Sequence, residues 1–474
     1  MSTQSFTRRF EKKSKTYSPR LALTDGARVA VIGGGPAGSF FSYFLLNMAQ
    51  RVGLNIHVDI YEARDFSRAG PVGCNMCAGI ISESLVQKLA SEGIVLPPTV
   101  IRRGIDTYTL HMDGQSARLD APRQEKCIAA VYRGAGPRGE TSVDRSFDGF
   151  LLAQAKRMGA NVIQGRVDEV RRLEDGRLQV AAHGHAPQVY DLLGGAAGVK
   201  TSVPGLFEQA EPGYRPPVTA QASICEFRLG ADVVERHFGS AIRAFLLDIP
   251  GLDFAALIPK GDYVTATLVG HGEPRALMLA FLNSPQVKQW LPPSWKPEQA
   301  VCHCSPRLAV SGAARPFADR LVFIGDNGVS RLYKDGIGAA YRAAKAAVAT
   351  VIFHGIGAED FRRHYWPVCR NMALDNKIGK LIFAVAVQIP RQRFARQAVL
   401  RMVAAEQQRR RAERDMSAVM WDIFTGSAPY QEIFVRTLHP AFWTRLLWHL
   451  TVSVFRPRDT GRPSSTMGDA VLAT

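Results

Sequence analysis

Residues 29–38 read Val-Ala-Val-Ile-Gly-Gly-Gly-Pro-Ala-Gly, an apolar β-prone run followed by Gly33, Gly35 and Gly38 in G-x-G-x-x-G spacing. The pattern asks for a strand, a tight turn and a helix in immediate succession. Gly33 permits the sharp turn, Gly35 lets backbone approach a pyrophosphate, and Gly38 lets the helix lie close on the strand. Pro36 and Ala37 open that helix, whose first N–H groups and positive dipole end suit phosphate oxygens. Val58-Asp59-Ile60-Tyr61-Glu62 reads as a second strand ending in an acid, and Glu62 can accept from a ribose diol. Glu62 lies 29 residues past Gly33, against a usual spacing of about twenty. The excess falls in residues 47–55, a lengthened helix end and loop. A Gly-rich turn that serves packing alone is the competing explanation. Strand, turn, helix and acid in the right order favour a nucleotide.

Roughly three hundred residues on, Leu321-Val322-Phe323-Ile324-Gly325-Asp326 reads as a buried strand ending in an acid. Gly336, Ile337 and Gly338 then open an Ala-rich helix reaching about Phe353. Asp326 would accept from a ribityl hydroxyl, with backbone N–H groups around Gly325 facing a pyrophosphate. The later helix start can point at the pyrimidine end of a flavin, where negative charge collects on reduction. Taken alone, this segment is also an ordinary strand–loop–helix. Taken together, the two segments suit the two ends of one FAD better than they suit NAD.

Four further features give the chain a nameable likeness. Cys77-Ala78-Gly79-Ile80-Ile81-Ser82 follows the ribose acid, and Arg145-Ser146-Phe147-Asp148 opens an apolar helix. Phe254-Ala255-Ala256-Leu257-Ile258-Pro259 is followed after a strand by Gly270-His271-Gly272, and Gly325-Asp326 comes last. Over roughly residues 28–355 the chain resembles the geranylgeranyl reductase family of FAD-dependent oxidoreductases, relatives of the p-hydroxybenzoate hydroxylase type. The resemblance implies an α/β fold. A Rossmann-like FAD-binding domain would carry an inserted antiparallel-sheet substrate domain and a C-terminal helical domain. It implies that Arg145 contacts the cofactor and that Phe254, Ala256, Ile258 and Pro259 form the substrate element. It also implies that Cys77 lies near the flavin as a proton donor or a wall. The implied reaction is hydride transfer from reduced FAD to a double bond of a hydrophobic, isoprenoid-type substrate, the proton coming from a site residue or water.

The departures from that family carry information. The family's Gly-Ala-Asp-Gly run is Gly194-Gly195-Ala196-Ala197-Gly198 here, with Ser202 further on. Ala197 stands where an Asp helps organise the nicotinamide side, which shifts the expected electron donor from NAD(P)H toward a ferredoxin. Phe254 and Ala256 replace a Tyr and a Trp, so the substrate pocket should be larger. Leu332-Tyr333-Lys334-Asp335-Gly336 replaces a Pro-x-x-Gly-Glu-Gly run. By position Tyr333 and Lys334 are candidate acids; a solvent-facing loop pair is the alternative. A flavin monooxygenase on the same fold, without a Trp-x-Trp-x-x-Pro halogenase signature, is the first rival reading. A non-catalytic flavin-binding factor at a membrane is the second.

With 474 residues the chain can bury a sizeable core in two or three domains. The expected divisions are a basic arm (1–26), FAD-binding portions (27–200 and 316–355), a substrate portion (201–315), a helical region (356–455) and a polar tail (456–474). Strands are expected at Thr219–Phe227, Phe254–Ile258 and Tyr263–Val269, and a hairpin turn at Glu174–Arg177. Seven cysteines do not make a secreted disulfide framework. Cys74-x-x-Cys77 and Cys302-His303-Cys304 lie far apart, and no metal is expected. Cys127, Cys225 and Cys369 read as core residues, and His303 as a structural histidine.

The formal net charge is +17, and residues 361–474 hold 18 Lys/Arg against 8 Asp/Glu. No nucleic-acid module is visible. Leu381–Val387 is framed by Lys377 and Lys380 before it and Arg391, Arg393 and Arg396 after it. Ala441–Leu450 carries Trp443 and Trp448 among apolar residues. Such segments suit helices lying in a membrane interface, or equally a helical domain whose apolar stripes pack on the flavin domain. With no signal sequence and no apolar run of spanning length, the sequence predicts a cytoplasmic protein, peripheral on the inner face of the membrane.

Overall fold

The computed structural model describes residues 21–70, 72–75, 77–112, 115–121, 128–138, 145–199, 203–207, 210–409 and 414–455. Residues 1–20 of the expected arm, the 456–474 tail, Cys127 and Ser202 lie outside the described residues.

Alternation along the first strand, Ala27–Ile32, sets the layers. Val29 and Val31 point into one core and Ala30 and Ile32 into another, so both faces of this strand are covered. It is an inner strand of a six-stranded sheet. The order is Phe317–Ala318, Leu321–Phe323, Leu192–Gly195, Ala27–Ile32, Ile56–Glu62 and Asn161–Gln164. All neighbours run parallel except the Phe317–Ala318 edge. On one face the helices Pro36–Arg51 and Gly336–Phe353 pack together, with Tyr341 edge-on to Phe40 and Phe44. The other face is covered by the antiparallel strands Val167–Arg172, Leu178–Ala182 and Gln188–Tyr190. The hairpin joining the first two turns at Glu174–Arg177.

A second, larger sheet stands beside the first. Its order is Ala300–Cys304, Thr219–Arg228, Tyr263–Gly270, Leu252–Lys260, Ala241–Phe245, Thr107–Met112 and Gln115–Asp120. It is antiparallel except where Ala241–Phe245 runs beside Thr107–Met112. Two of these strands come from residues 107–120, which the sequence reading left within the FAD-binding portion. Asp113-Gly114, outside the described residues, is the hairpin signal that reading passed over. One face of this sheet packs on the helix Pro274–Asn283. The other faces the C-terminal helices through Leu119, Ala256 and Ile258.

Those helices are Trp366–Ala386, Arg393–Gln407, Asp415–Thr425, Tyr430–Thr437 and Pro440–Phe455. The expected basic helix around Arg396–Arg414 ends at Gln407. Its Glu406 is turned inward, accepting from the backbone N–H groups of Met416 and Ser417 at 3.0 and 2.8 Å, and so starts the following helix. Among the described residues, Gly336–Phe353 is the one helix long and apolar enough to span a bilayer, and it is a core element of the first sheet. The architecture is the α/β arrangement expected from the sequence: a parallel nucleotide-binding sheet, an inserted mainly antiparallel sheet and a C-terminal helical region.

The closest backbone approach in the first layer is at Gly38. A Cβ there would lie 1.8 Å from the Gly33 carbonyl oxygen. Gly38→Ala is expected to push the helix off its strand and cost about 1–3 kcal/mol. A thermal unfolding midpoint equal to the parent's would contradict this packing.

Candidate active site

Parallel α/β sheets bind ligands beyond the carboxyl ends of their strands. Here that edge opens into a cavity of about 990 Å³ that runs on between the two sheets and the C-terminal helices. Its nucleotide end is lined by Gly33, Gly35, Pro36, Ala37, Glu62, Gly325, Asp326, Gly336 and Ile337, with Ala196–Gly198 alongside. The two glycine segments touch. Gly325 has φ +62°, and a Cβ on it would lie 2.7 Å from the Cβ of Ala37. Gly33 has φ +105°, and a Cβ there would lie 2.4 Å from the Ala196 carbonyl oxygen. Neither the helix starting at Pro36 nor that starting at Gly336 has a side-chain cap, so their first N–H groups remain for a ligand. Glu62 is buried and braces the turn itself, accepting from Gly34 N–H at 2.7 Å and Arg64 N–H at 2.8 Å.

Three expected cofactor residues do not line the cavity. Gly38 and Gly338 sit behind the loops, where a Cβ would collide with Gly33 and with Asp335 respectively. Arg145 is likewise not a lining residue, although the reading from the resemblance placed it on the cofactor. The arginine at the wall is Arg133, paired with the buried Asp148 at 2.5 and 2.8 Å. Asn75, another lining residue, also donates to Asp148 at 2.5 Å. Sequence reasoning missed Arg133 because its segment carries no motif.

Beyond the nucleotide end the walls become apolar. Phe254, Ala256 and Ile258 point into the cavity from alternate positions of one strand, joined by Ile224, Val269, Tyr108 and Phe424. The same alternation turns Pro259 away, against expectation, and Leu257 lies in the core on the opposite face of the sheet. The ring of Phe254 lies 5.6 Å from that of Phe424.

Lys334 enters this chamber from the loop that precedes the helix Gly336–Phe353. Its ammonium lies 4.5 Å from the centre of the Phe254 ring and has no acidic partner within ion-pair distance among the described residues. Burial pulls its pKa from the usual lysine value down to about 8, partly opposed by Cys77 nearby. Tyr333 lines the chamber too, edge-on to Phe383 at 5.1 Å, and burial raises its phenol pKa.

The loop is held in an unusual backbone. Tyr333 and Asp335 have φ of 57° and 56°, which costs about 1–2 kcal/mol per residue. The C-terminal helices hold it there. Asn376 accepts from Leu332 N–H at 2.9 Å and donates to the Ser330 carbonyl at 2.8 Å. Arg331 donates to the carbonyls of Gly426 and Ala428, and the Tyr430 hydroxyl donates to the Leu332 carbonyl at 2.5 Å. Asn376→Ala strands two buried backbone groups and is expected to cost about 2–4 kcal/mol. Differential scanning calorimetry checks this; an unshifted transition would contradict the clamp.

Four cysteines that are remote in sequence meet beside the chamber. Cys74, Cys77, Cys302 and Cys304 line a small cavity of about 30 Å³ with Glu226 and the buried Lys260, and Cys77 lines the large cavity as well. Cys302 and Cys304 share a sheet face with Glu226 and Ile224 by strand register. Cys77, Cys302 and Cys304 are free thiols, and burial raises Cys302 and takes Cys304 up to about 12. Among the described residues no group of three or more His, Cys, Asp or Glu is placed to hold a metal ion. His303, on the alternate side of its strand, is exposed, while Cys225 and Cys369 are core residues.

The residues present fit a cofactor of FAD's length. Two uncapped helix starts, a glycine cradle that side chains would fill and a ribose-side acid stand at one end of a cavity long enough to continue into an apolar chamber. No protein-family model matches the chain, and no curated protein matches it in sequence. Solved structures do match. One is a flavoprotein/dehydrogenase from Cytophaga hutchinsonii, with TM-score 0.61 and 15% identity over 90% of this chain and 99% of that one. Another is the halogenase PltM in complex with phloroglucinol and FAD, at 0.55 and 11% over 92% and 94%. A third is p-nitrophenol 4-monooxygenase PnpA from Pseudomonas putida DLL-E4, at 0.54 and 12% over 90% and 99%. At these identities the likeness is one of fold, and the fold is that of FAD-binding flavoproteins.

Proposed function

We propose that the chain is an FAD-dependent oxidoreductase acting on a bulky, apolar small molecule. The observation that carries this reading is that one continuous cavity joins the two glycine segments to a chamber walled by Phe254, Ala256 and Ile258. Gly33, Gly35 and the first N–H groups of the helix at Pro36 would hold the pyrophosphate. Asp326 would accept from the ribityl chain, and the helix start at Gly336 would face the pyrimidine edge. Bound there, the flavin supplies two-electron redox chemistry, toward the substrate or toward dioxygen.

The chain's own residues then do three things. The aromatic and aliphatic walls orient an apolar substrate and exclude water. Lys334 holds a proton inside that chamber, where a group with a pKa near 8 can give it up at working pH. Cys77 and Tyr333 shape the wall beside it.

In the finer reading the substrate is an isoprenoid-type chain, and the reaction reduces or dehydrogenates one of its double bonds. Support comes from the apolar chamber, the proton-bearing Lys334 and the resemblance of the segments at Cys77, Phe254 and Gly325. Ala197 lines the nucleotide end where that resemblance would place an acid, which favours a ferredoxin over NAD(P)H as electron source. A second reading, a monooxygenase, draws on the fold shared with p-nitrophenol 4-monooxygenase.

Anaerobic addition of NADPH, NADH or reduced ferredoxin to the flavin-loaded protein separates the two. Bleaching by ferredoxin and not by nicotinamides is the result expected of the reductase; nicotinamide bleaching with rapid oxygen uptake is that of the monooxygenase. A protein that takes up no flavin overturns both. If Lys334 is the proton donor, activity falls about tenfold per pH unit above its pKa, because a lysine of lowered pKa loses its proton there. Lys334→Met is expected to remove that alkaline limb. A pH profile unchanged in Lys334→Met would exclude the role.

A further inference from the structure

The helix Trp366–Ala386 and the turn after it form a lip on the cavity. Phe383, Val387 and Ile389 line the cavity from this segment. Leu374, Leu381 and Val385 recur at helical spacing on an exposed stripe, Leu381 and Val385 being 54% and 60% exposed. Phe394 is exposed at the start of the next helix. An apolar wall on one side and apolar side chains open to solvent on the other are a poor arrangement for a helix that meets only water.

The exposed charges carried by the lip itself are of one sign, with Asp253 on the facing strand near enough to Arg391 to feel its charge. Lys377, Lys380, Arg391 and Arg393 are exposed, and none has an ion-pair partner among the described residues. The one acid in residues 366–394, Asp375, is turned inward, accepting from the Tyr430 and Gln431 N–H groups at 3.1 and 2.8 Å. Exposed aliphatic and aromatic side chains among unpaired cations match the chemistry of an anionic bilayer surface: acyl chains for the first, headgroup phosphates for the second. A protein partner of matching acidity would not need the apolar side chains to stand among the cations.

We propose that this lip docks on anionic lipid. Leu381, Val385 and Phe394 enter the acyl boundary, the four cations meet headgroups, and the cavity mouth at Phe383, Val387 and Ile389 opens at the hydrocarbon edge. An apolar substrate then passes from bilayer to chamber without crossing water. The nature of that cargo rests on the proposed function; the docking itself does not.

The test is co-sedimentation of the full-length, flavin-loaded chain with vesicles of phosphatidylcholine alone or mixed with phosphatidylglycerol. Binding is expected to the mixed vesicles and to be weak on phosphatidylcholine. Leu381→Asp with Val385→Asp is expected to abolish it. Each of the four cations changed to Gln should weaken it roughly fivefold, the equivalent of about 1 kcal/mol per charge near the surface. Circular dichroism and the flavin spectrum of each variant, recorded on the same samples, separate misfolding or cofactor loss from loss of docking. If the double Asp variant is folded and pellets as the parent does, or if the parent pellets with neither vesicle, the lip is not a lipid surface.

Discussion

The structure depends on one contact, that of Gly325 against Ala37. It closes the gap between two loops encoded roughly three hundred residues apart, and a Cβ at Gly325 would lie 2.7 Å from the methyl of Ala37. Each loop ends a strand of the same parallel sheet, with Leu192–Gly195 between them. Strand order therefore fixes how far apart the loops sit, and glycine decides that their backbones can meet. The result is one cradle with two uncapped helix starts, where a phosphate-bearing ligand finds N–H groups and favourable dipoles from both sides.

The cradle alone would serve many nucleotides. The loop from Ser330 to Asp335 makes the remainder of the cavity a chemical site. A lysine in an apolar chamber is costly as a cation, and the lowering of its pKa to about 8 expresses that cost. The backbone that delivers it is strained at Tyr333 and Asp335 and is held by groups on the C-terminal helices. Those helices thus set the Lys334 loop, close the chamber with Phe383 and Phe424, and carry the outward lip. Strain and burial of this kind persist where surrounding structure over-determines them.

Much of this was legible in the sequence. The glycine spacings and flanking strands identify the nucleotide sheet because turn geometry and period-2 burial leave local signatures. Glu62, Gly325 and Asp326 lie at the cavity, as does Lys334, which was singled out only by departing from a family pattern. What was not legible depended on three-dimensional pairing. Thr107–Met112 and Gln115–Asp120 join a sheet whose remaining strands begin at residue 219, and the parallel pairing of Thr107–Met112 with Ala241–Phe245 is non-local and has no local signal. Arg133 lines the wall from a segment that carries no motif, and its pairing with Asp148 of the recognised helix start is a non-local contact. Pro259 was assigned to the substrate wall by position in a motif, whereas strand alternation turns it away from the chamber, where it is buried. The two cysteine pairs are far apart in sequence and meet at one small cavity, Cys302 and Cys304 from a strand and Cys74 and Cys77 from a loop.

The most direct test of the two-ended cradle is an equilibrium titration of the flavin-free protein with FAD, FMN and ADP, followed by flavin fluorescence and calorimetry. If both loops grip one cofactor, FAD binds far more tightly than either fragment, because each fragment engages one end alone. Equal affinity for FMN and FAD would mean that the Gly33–Gly38 loop and Glu62 hold nothing, and the central claim would fail.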